Sequence, residues 1–209
     1  MNSLRTGWIV SFIGCELVQR GIQRFGITAN KANIWACTLF QFYITYKTGM
    51  SMYNEVFNGV VNSVATASHL NDLYGYFMYD MVYMMLDTSR PRNTTFIIHH
   101  AISCCVIDTV LELNLSSTFY QNAFCFLAEI TSPLINARIL LADYPRLKAV
   151  NKRVMIYSYF VARIMLFPVA IIGFMQTIDP HWTTKLSLYA SFTAVYITSL
   201  NWFKTMAGF

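Results

Sequence analysis

Two adjacent histidines, His99 and His100, stand inside an apolar run from Thr94 to Leu111 that also carries Asp108. Ionisable side chains are costly in hydrocarbon, so in such runs they are rare and face a bundle interior or a wet cavity. An imidazole beside a carboxylate is the pairing that acid-base chemistry needs, because the carboxylate orients the ring and raises its basicity. Asp80 and Glu129 are further carboxylates in apolar surroundings. Asp80 lies about seven residues before the end of its segment, or ~10 Å, and His99 about six residues into the next, or ~9 Å, at the helical rise per residue. A short turn joins the two segments, so Asp80 and the histidines are expected at similar depth.

Within the histidine segment, His100, Cys104 and Asp108 follow an i, i+4, i+8 line and share a face. Further on, Glu129, Pro133 and Asn136 form a similar stripe with Ser132 beside it, and Glu129 is expected to meet Asp108 or His100. Adjacent histidines point about 100° apart on a helix and cannot aim at one point. The spacing favours His100 as the functional group and leaves His99 for a helix-helix bond. Two histidines with carboxylates also suit zinc or iron. Neighbouring histidines chelate poorly from one helix, however, and no metal is assigned. Glu16, Lys47 and Arg163 complete the deep polar set. Each member has a structural alternative, since a polar group in a bundle often bonds a neighbouring helix and does nothing more.

The elements that position these groups follow from composition. The 209 residues are 56% hydrophobic and 12% charged, with mean hydropathy +0.43. Soluble domains carry roughly 25% charge. Apolar runs near the ~20 residues that span ~30 Å of hydrocarbon recur along the chain. The expected fold class is all-α, a multi-pass transmembrane bundle of about seven spans. The alternating ten-residue pattern of a membrane β-barrel is missing. Net charge is +5, with the bases in a few short connections. That placement leaves no basic-aromatic surface for nucleic acid. The five cysteines fall in predicted spans without a C-x-x-C pair and read as small buried apolar residues.

The spans are expected over Ser3 to Gln19, Asn33 to Tyr53, Leu73 to Leu86, Thr94 to Leu113, Thr118 to Ala142, Val154 to Met175 and Thr184 to Lys204. Residues 54–70 read as a connection or a surface-lying half helix, and Asp143 to Arg153 as a basic loop. Lys47 is expected to snorkel to the interface, and Pro133 to kink its span. The first span reads as an uncleaved helix. One membrane domain covers 1–209, with 1–31 a peripheral first helix and basic connection and 32–206 the core bundle. Arg20, Arg24 and Lys31, then Arg90 and Arg92, then Arg146, Lys148, Lys152 and Arg153 fall in alternate connections. The positive-inside rule makes those connections cytosolic, with a lumenal N-terminus and a cytosolic C-terminus; Arg5 opposes this mildly. Asn93-Thr94-Thr95 and Asn114-Leu115-Ser116 match the N-glycosylation pattern. In this topology the first faces the cytosol and the second hugs the membrane, so neither is expected to be modified.

Three blocks carry a resemblance: Gly75-Tyr76-Phe77-Met78-Tyr79-Asp80, Phe96-Ile97-Ile98-His99-His100, and Phe126 to Arg138, read Phe-Leu-Ala-Glu-Ile-Thr-Ser-Pro-Leu-Ile-Asn-Ala-Arg. In order and spacing they resemble the TLC domain, the membrane domain shared by TRAM, Lag-type ceramide synthases and CLN proteins, over roughly Asn33 to Met206. In ceramide synthases the histidine pair is implied to serve N-acylation of a sphingoid base by acyl-CoA. Their later block carries a His-Asp and a second Asp, where this chain has Glu129 alone. The chain is more similar to the non-synthase members, which are implied to influence membrane lipid composition or trafficking. Those relatives often carry a histidine in the second helix, where this chain has Gln41.

The resemblance implies a multi-pass protein, of the endoplasmic reticulum type of membrane, that binds, senses or remodels membrane lipid. His99, His100, Asp80 and Glu129 are the expected reactive set, with Asp108, Asn136, Arg138 and Gln41 lining a lipid cavity. No cofactor is expected. A ceramide-synthase-like N-acyltransferase, with acyl-CoA as co-substrate and a sphingoid base as acceptor, is the alternative. A chaperone or cargo receptor whose polar residues are structural is the third reading.

Overall fold

The computed structural model describes residues 7–86, 94–113 and 119–208. Arg5, the connection holding Arg90, Arg92 and Asn93, and the turn holding Asn114 lie outside the described residues, and with them the asparagines of both glycosylation motifs. The described helices are α1 (Gly7–Gln23), α2 (Ala29–Asn58), α3 (Ser63–Leu86), α4 (Thr94–Glu112), α5 (Phe119–Glu129), α6 (Ser132–Leu140), α7 (Pro145–Tyr159), α8 (Phe167–Thr177) and α9 (Trp182–Ala207), with a π-helical turn, Phe160–Leu166, between α7 and α8. The pairs α5–α6 and α7–α8 each form one bent rod, giving seven rods and no strand among the described residues. Three rods, Thr94–Glu112, Phe119–Leu140 and Pro145–Thr177, are long and apolar enough to cross a membrane. The chain is an all-α membrane protein.

Burial is arranged for a hydrocarbon surround. A core of Ile44, Leu70, Leu73, Ile107, Val110, Phe174 and Leu188 fills the bundle. Val10, Leu17, Val64, Val169, Ile172 and Leu186 point outward, more than half exposed. Water would penalise so much apolar area on every side, whereas lipid does not. The polar residues of the less apolar rods are spent between helices. Asn122 on α5 donates to Thr66 Oγ1 at 3.0 Å, and its amide oxygen meets His69 Nδ1 at 3.0 Å.

That internal pairing corrects one boundary. Residues 54–70 are not a connection: α2 runs on to Asn58, α3 starts at Ser63, and only residues 59–62 lie between. Gly59 ends α2 with φ 64° in the left-handed region and hands its N–H back to Asn54 O. The Asn62 side chain then accepts from Ala65 N at 2.9 Å, opening α3. Thr66 and His69, within the stretch that read as a connection, are helical and bonded inside the bundle. The basic stretch is corrected likewise: Asp143 to Arg153 is not all loop, because α7 begins at Pro145, where a proline at the first turn loses no helical bond.

Lys47 does not snorkel freely. Its Nζ lies 3.0 Å from Asp72 Oδ2 and 2.9 Å from Tyr43 Oη, and Ser11 Oγ donates to Asp72 Oδ1 at 2.7 Å. This cluster ties α1, α2 and α3 together. Although α1 stands at the outside, it is closely docked. A β-carbon on Gly75 would strike the carbonyl oxygen of Trp8 and the side chain of Ser11. Tyr79 also donates to Gln19 of α1. The pairs Gly7–Asn71, Ser11–Gly75 and Phe12–Tyr79 advance in the same chain direction, so α1 and α3 run parallel.

Two irregular turns shape the centre. Pro133 sits in the first turn of α6, and the α5–α6 rod breaks at residues 130–131. In the α7–α8 rod, Pro168 removes the donor that Ile164 O would have had in a regular helix. The Tyr196 hydroxyl of α9 donates to that carbonyl instead, at 3.2 Å. The π turn ahead of it carries Arg163 inward, 5% exposed.

Candidate functional site

At the α5–α6 break the Arg163 guanidinium takes the place of missing backbone donors. Its Nε donates to Thr131 Oγ1 at 3.1 Å, and its Nη2 to Ser132 Oγ at 2.8 Å and to the carbonyl of Ala128. The Tyr159 ring faces the cation at 5.3 Å. A planar fork with several fixed donors suits this task, because it satisfies acceptors from two helical segments at once. The break in turn leaves Glu129 as the last residue of α5, 3% exposed.

Facing it across the bundle, α3 and α4 bring Asp80 and His100 together. His100 Nε2 lies 2.9 Å from Asp80 Oδ2, and the thiol of Cys37 on α2 reaches Asp80 Oδ1 at 3.5 Å. With Nε2–H donating to the carboxylate, the lone pair of His100 lies on Nδ1. That nitrogen is buried and has no hydrogen-bond partner; nor have Nδ1 of His99 and Oε2 of Glu129. Phe77 packs on the His100 ring with centroids 4.7 Å apart, and Trp202 of α9 meets His99 edge-on at 5.1 Å while stacking on Phe96 at 4.3 Å.

These groups border one cavity of about 380 Å³. Its wall includes Gln41, Asp80, His99, His100, Glu129, Asn136, Arg138 and Arg163. Gln41 and Asn136 are committed to each other: Asn136 Nδ2 donates to Gln41 Oε1 and to Thr38 Oγ1, each at 3.1 Å, and Gln41 Nε2 donates to Tyr76 Oη at 2.6 Å. They knit α2, α3 and α6 into a polar wall. Arg138 is exposed at the rim. A second void of about 40 Å³, lined by Leu73, Val106, Phe124 and Phe192, shares Phe77, His99 and Arg163 with the first. The polar space therefore ends on an apolar one.

Asp108 is not part of this arrangement. It is exposed, whereas His100 and Cys104 are buried. Eight residues at about 100° each return roughly 80° beyond the starting direction, so the i, i+8 line had already left the cavity face. Glu129 consequently shares its cavity with His100 and not with Asp108. The two histidines, set apart by the sequence reading, both reach the cavity wall. Cys37, Tyr76 and Trp202 were not singled out, because nothing in an apolar or aromatic span distinguishes a wall residue from a core one. Among the described residues no group of three or more His, Cys, Asp and Glu is placed to hold a metal ion.

The fold and site define a polytopic helical membrane protein with a cavity lined by acidic and imidazole side chains. The TLC domain profile matches residues 32–207, and the chain belongs to that family. No curated protein and no solved structure matches the chain. Membership in this family points to lipid biology.

Proposed function

We propose that the cavity takes up a membrane lipid, its polar end against Asp80, His99, His100 and Glu129 and its chain toward the apolar void beyond His99. The observation that carries this reading is the set of three unpartnered buried atoms, His99 Nδ1, His100 Nδ1 and Glu129 Oε2, all on residues that line one cavity. Buried polar groups are nearly always bonded, and leaving one unmet costs about 1–3 kcal/mol. A ligand with donors and acceptors at its polar end repays that cost. The protein would bind, sense or remodel lipid in the endoplasmic reticulum type of membrane, with the cavity in the cytosolic half and the C-terminus cytosolic. Native mass spectrometry of the purified protein tests this. A co-purifying lipid that is lost in both His100→Ala and Glu129→Gln supports it. Lipid retained in both variants, with melting unchanged, sinks it.

The Asp80–His100 pair favours a second reading, N-acyl transfer of ceramide-synthase type. An amine would attack the thioester carbonyl of an acyl-CoA, a C–N bond would form and the C–S bond would break. His100 Nδ1 would take the proton from the amine and return it to the departing thiolate, while Asp80 holds the ring. Glu129 stands alone here, without a second carboxylate nearby in sequence, which is why binding ranks first. Purified protein given acyl-CoA and sphingoid base separates the two. Amide product abolished by His100→Ala establishes transfer, and bound lipid without turnover at any chain length leaves binding alone.

A further inference from the structure

The rod made of α7, the π turn and α8 runs from Pro145 to Thr177, 33 residues. About 20 residues cross ~30 Å of hydrocarbon, so roughly a dozen are surplus. The surplus lies at the start, because Phe167–Thr177 is apolar to its last turn while Arg146, Lys148, Lys152 and Arg153 all belong to the first turns of α7. All four bases are exposed. No Asp or Glu stands between Tyr144 and Ile178, so the rod carries no acid of its own to neutralise them. Among the described residues, the ion pairs of Lys and Arg join Arg20 to Glu16, Lys31 to Asp143 and Lys47 to Asp72, and none takes up these bases.

Around α7 the side chains sort by type. Asn151 and Met155 mark the buried direction, and Asn151 Nδ2 donates to Leu134 O of α6 at 2.9 Å. At about 100° per residue from Asn151, the four bases span an arc of roughly 60–220°, and Leu147, Val150, Val154 and Tyr157 one of roughly 240–320°. Those four apolar side chains are each half or more exposed. One helix thus presents a basic face and an apolar face side by side, the pattern of a helix at the boundary of a bilayer. The polar cavity lies at the same end of the bundle. Of its wall, Asn33 and Phe96 stand near the starts of α2 and α4, and Met84 and Ile139 near the ends of α3 and α6. Lys31 Nζ, 3.9 Å from Asp143 Oδ2, fastens the turn before α7 to the start of α2.

We propose that the first turns of α7 bind anionic phospholipids of the surrounding leaflet and hold their headgroups at the end of the bundle where the polar cavity lies. The bases meet the phosphate and carboxylate oxygens, and the apolar arc meets the acyl chains of the same molecules. A soluble anion would satisfy the bases and leave the apolar arc in water, so lipid is the occupant that fits both faces. None of the four bases lines the cavity, so this surface holds whatever the cavity contains.

Native mass spectrometry of the purified protein, titrated separately with dioleoylphosphatidylserine and dioleoylphosphatidylcholine, reads the preference. Each base near an anionic headgroup adds attraction, so the serine lipid should bind at roughly tenfold lower concentration. With Arg146→Gln, Lys148→Gln, Lys152→Gln and Arg153→Gln combined, the two lipids should bind within about twofold of each other. Lys148→Gln with Lys152→Gln, a milder change, should lose part of the preference. Arg20→Gln with Arg24→Gln, exposed bases on another helix end, should keep it. Glycerophosphoserine, the headgroup without chains, should compete at least about tenfold more weakly than the lipid. Equal binding of the two lipids by the parent overturns the proposal, as does a preference that survives the fourfold substitution. Equal competition by glycerophosphoserine makes the face a site for soluble anions, and capture of poly-glutamate without any lipid preference makes it one for an acidic protein; either result overturns it too. Lipid lost in His100→Ala and Glu129→Gln with the serine preference intact separates the cavity from this surface.

Discussion

His100 and Asp80 face each other across 2.9 Å from neighbouring helices, and the carboxylate's other oxygen is met by the Cys37 thiol at 3.5 Å. Asp80 is therefore held on both sides before any ligand arrives, and the imidazole it fixes belongs to a residue of the cavity wall. Asp80→Asn keeps the shape and removes the charge that selects this tautomer. A hydrogen bond to a charged group contributes about 1.5–3 kcal/mol, so lipid retention measured by native mass spectrometry should fall by at least about tenfold with the helical content intact. Unchanged retention would show that the pair only joins α3 to α4.

Gly75 and Gly14 form a matched comparison on facing helices. A β-carbon at 75 meets backbone of α1, whereas at 14 it meets nothing within 4 Å. Gly75→Ala should lower stability by about 1–3 kcal/mol through overpacking. Gly14→Ala should raise it by up to ~1 kcal/mol through helix propensity. Thermal unfolding of both in the same detergent decides it, and equal melting points would mean that α1 is not docked as described.

Arg163→Lys should fail to replace arginine. A lysine amine cannot reach Thr131, Ser132 and the Ala128 carbonyl in one geometry. A loss of roughly 2–4 kcal/mol is expected, since a buried ion and a helix break both lose partners. Melting of Arg163→Lys within a degree or so of wild type would contradict this account of the break.

Lys47 and Asp72 should behave as a coupled pair. Each is partly exposed, with side chains 27% and 15% accessible, so the interaction is weaker than a fully buried one. Removing either residue alone should cost more than half of what removing both costs, with a coupling of about 1 kcal/mol in a double-mutant cycle. Additive losses would make Tyr43 and Ser11 the real supports of this corner.

Much of the site could be read from the chain because its members are out of place by type. Histidines and carboxylates in apolar runs are conspicuous, and helical rise alone put Asp80 near the depth of His100. Direction around the helix was less legible. Asp108 sits on the His100 line by residue count, yet the departure of the α-helix from an exact four-residue repeat carries it outside. Polar residues whose partners lie on other helices misled in a different way. Thr66 and His69 read as a connection because a sequence does not show Asn122 waiting opposite them. The same blindness hid Tyr196, whose bond to Ile164 O only a bundle can supply. The seven rods themselves were legible, since their apolar lengths and the Gly and Pro between them are local features.

The contact of Gly75 with the Trp8 carbonyl also bears on where the first helix can sit. Bare backbone of α1 there meets a residue without a side chain, so the glycine sets how closely the two helices approach. A larger side chain at this position would have to push α1 away from α3. One position in the sequence thereby governs the spacing of two helices far apart along the chain.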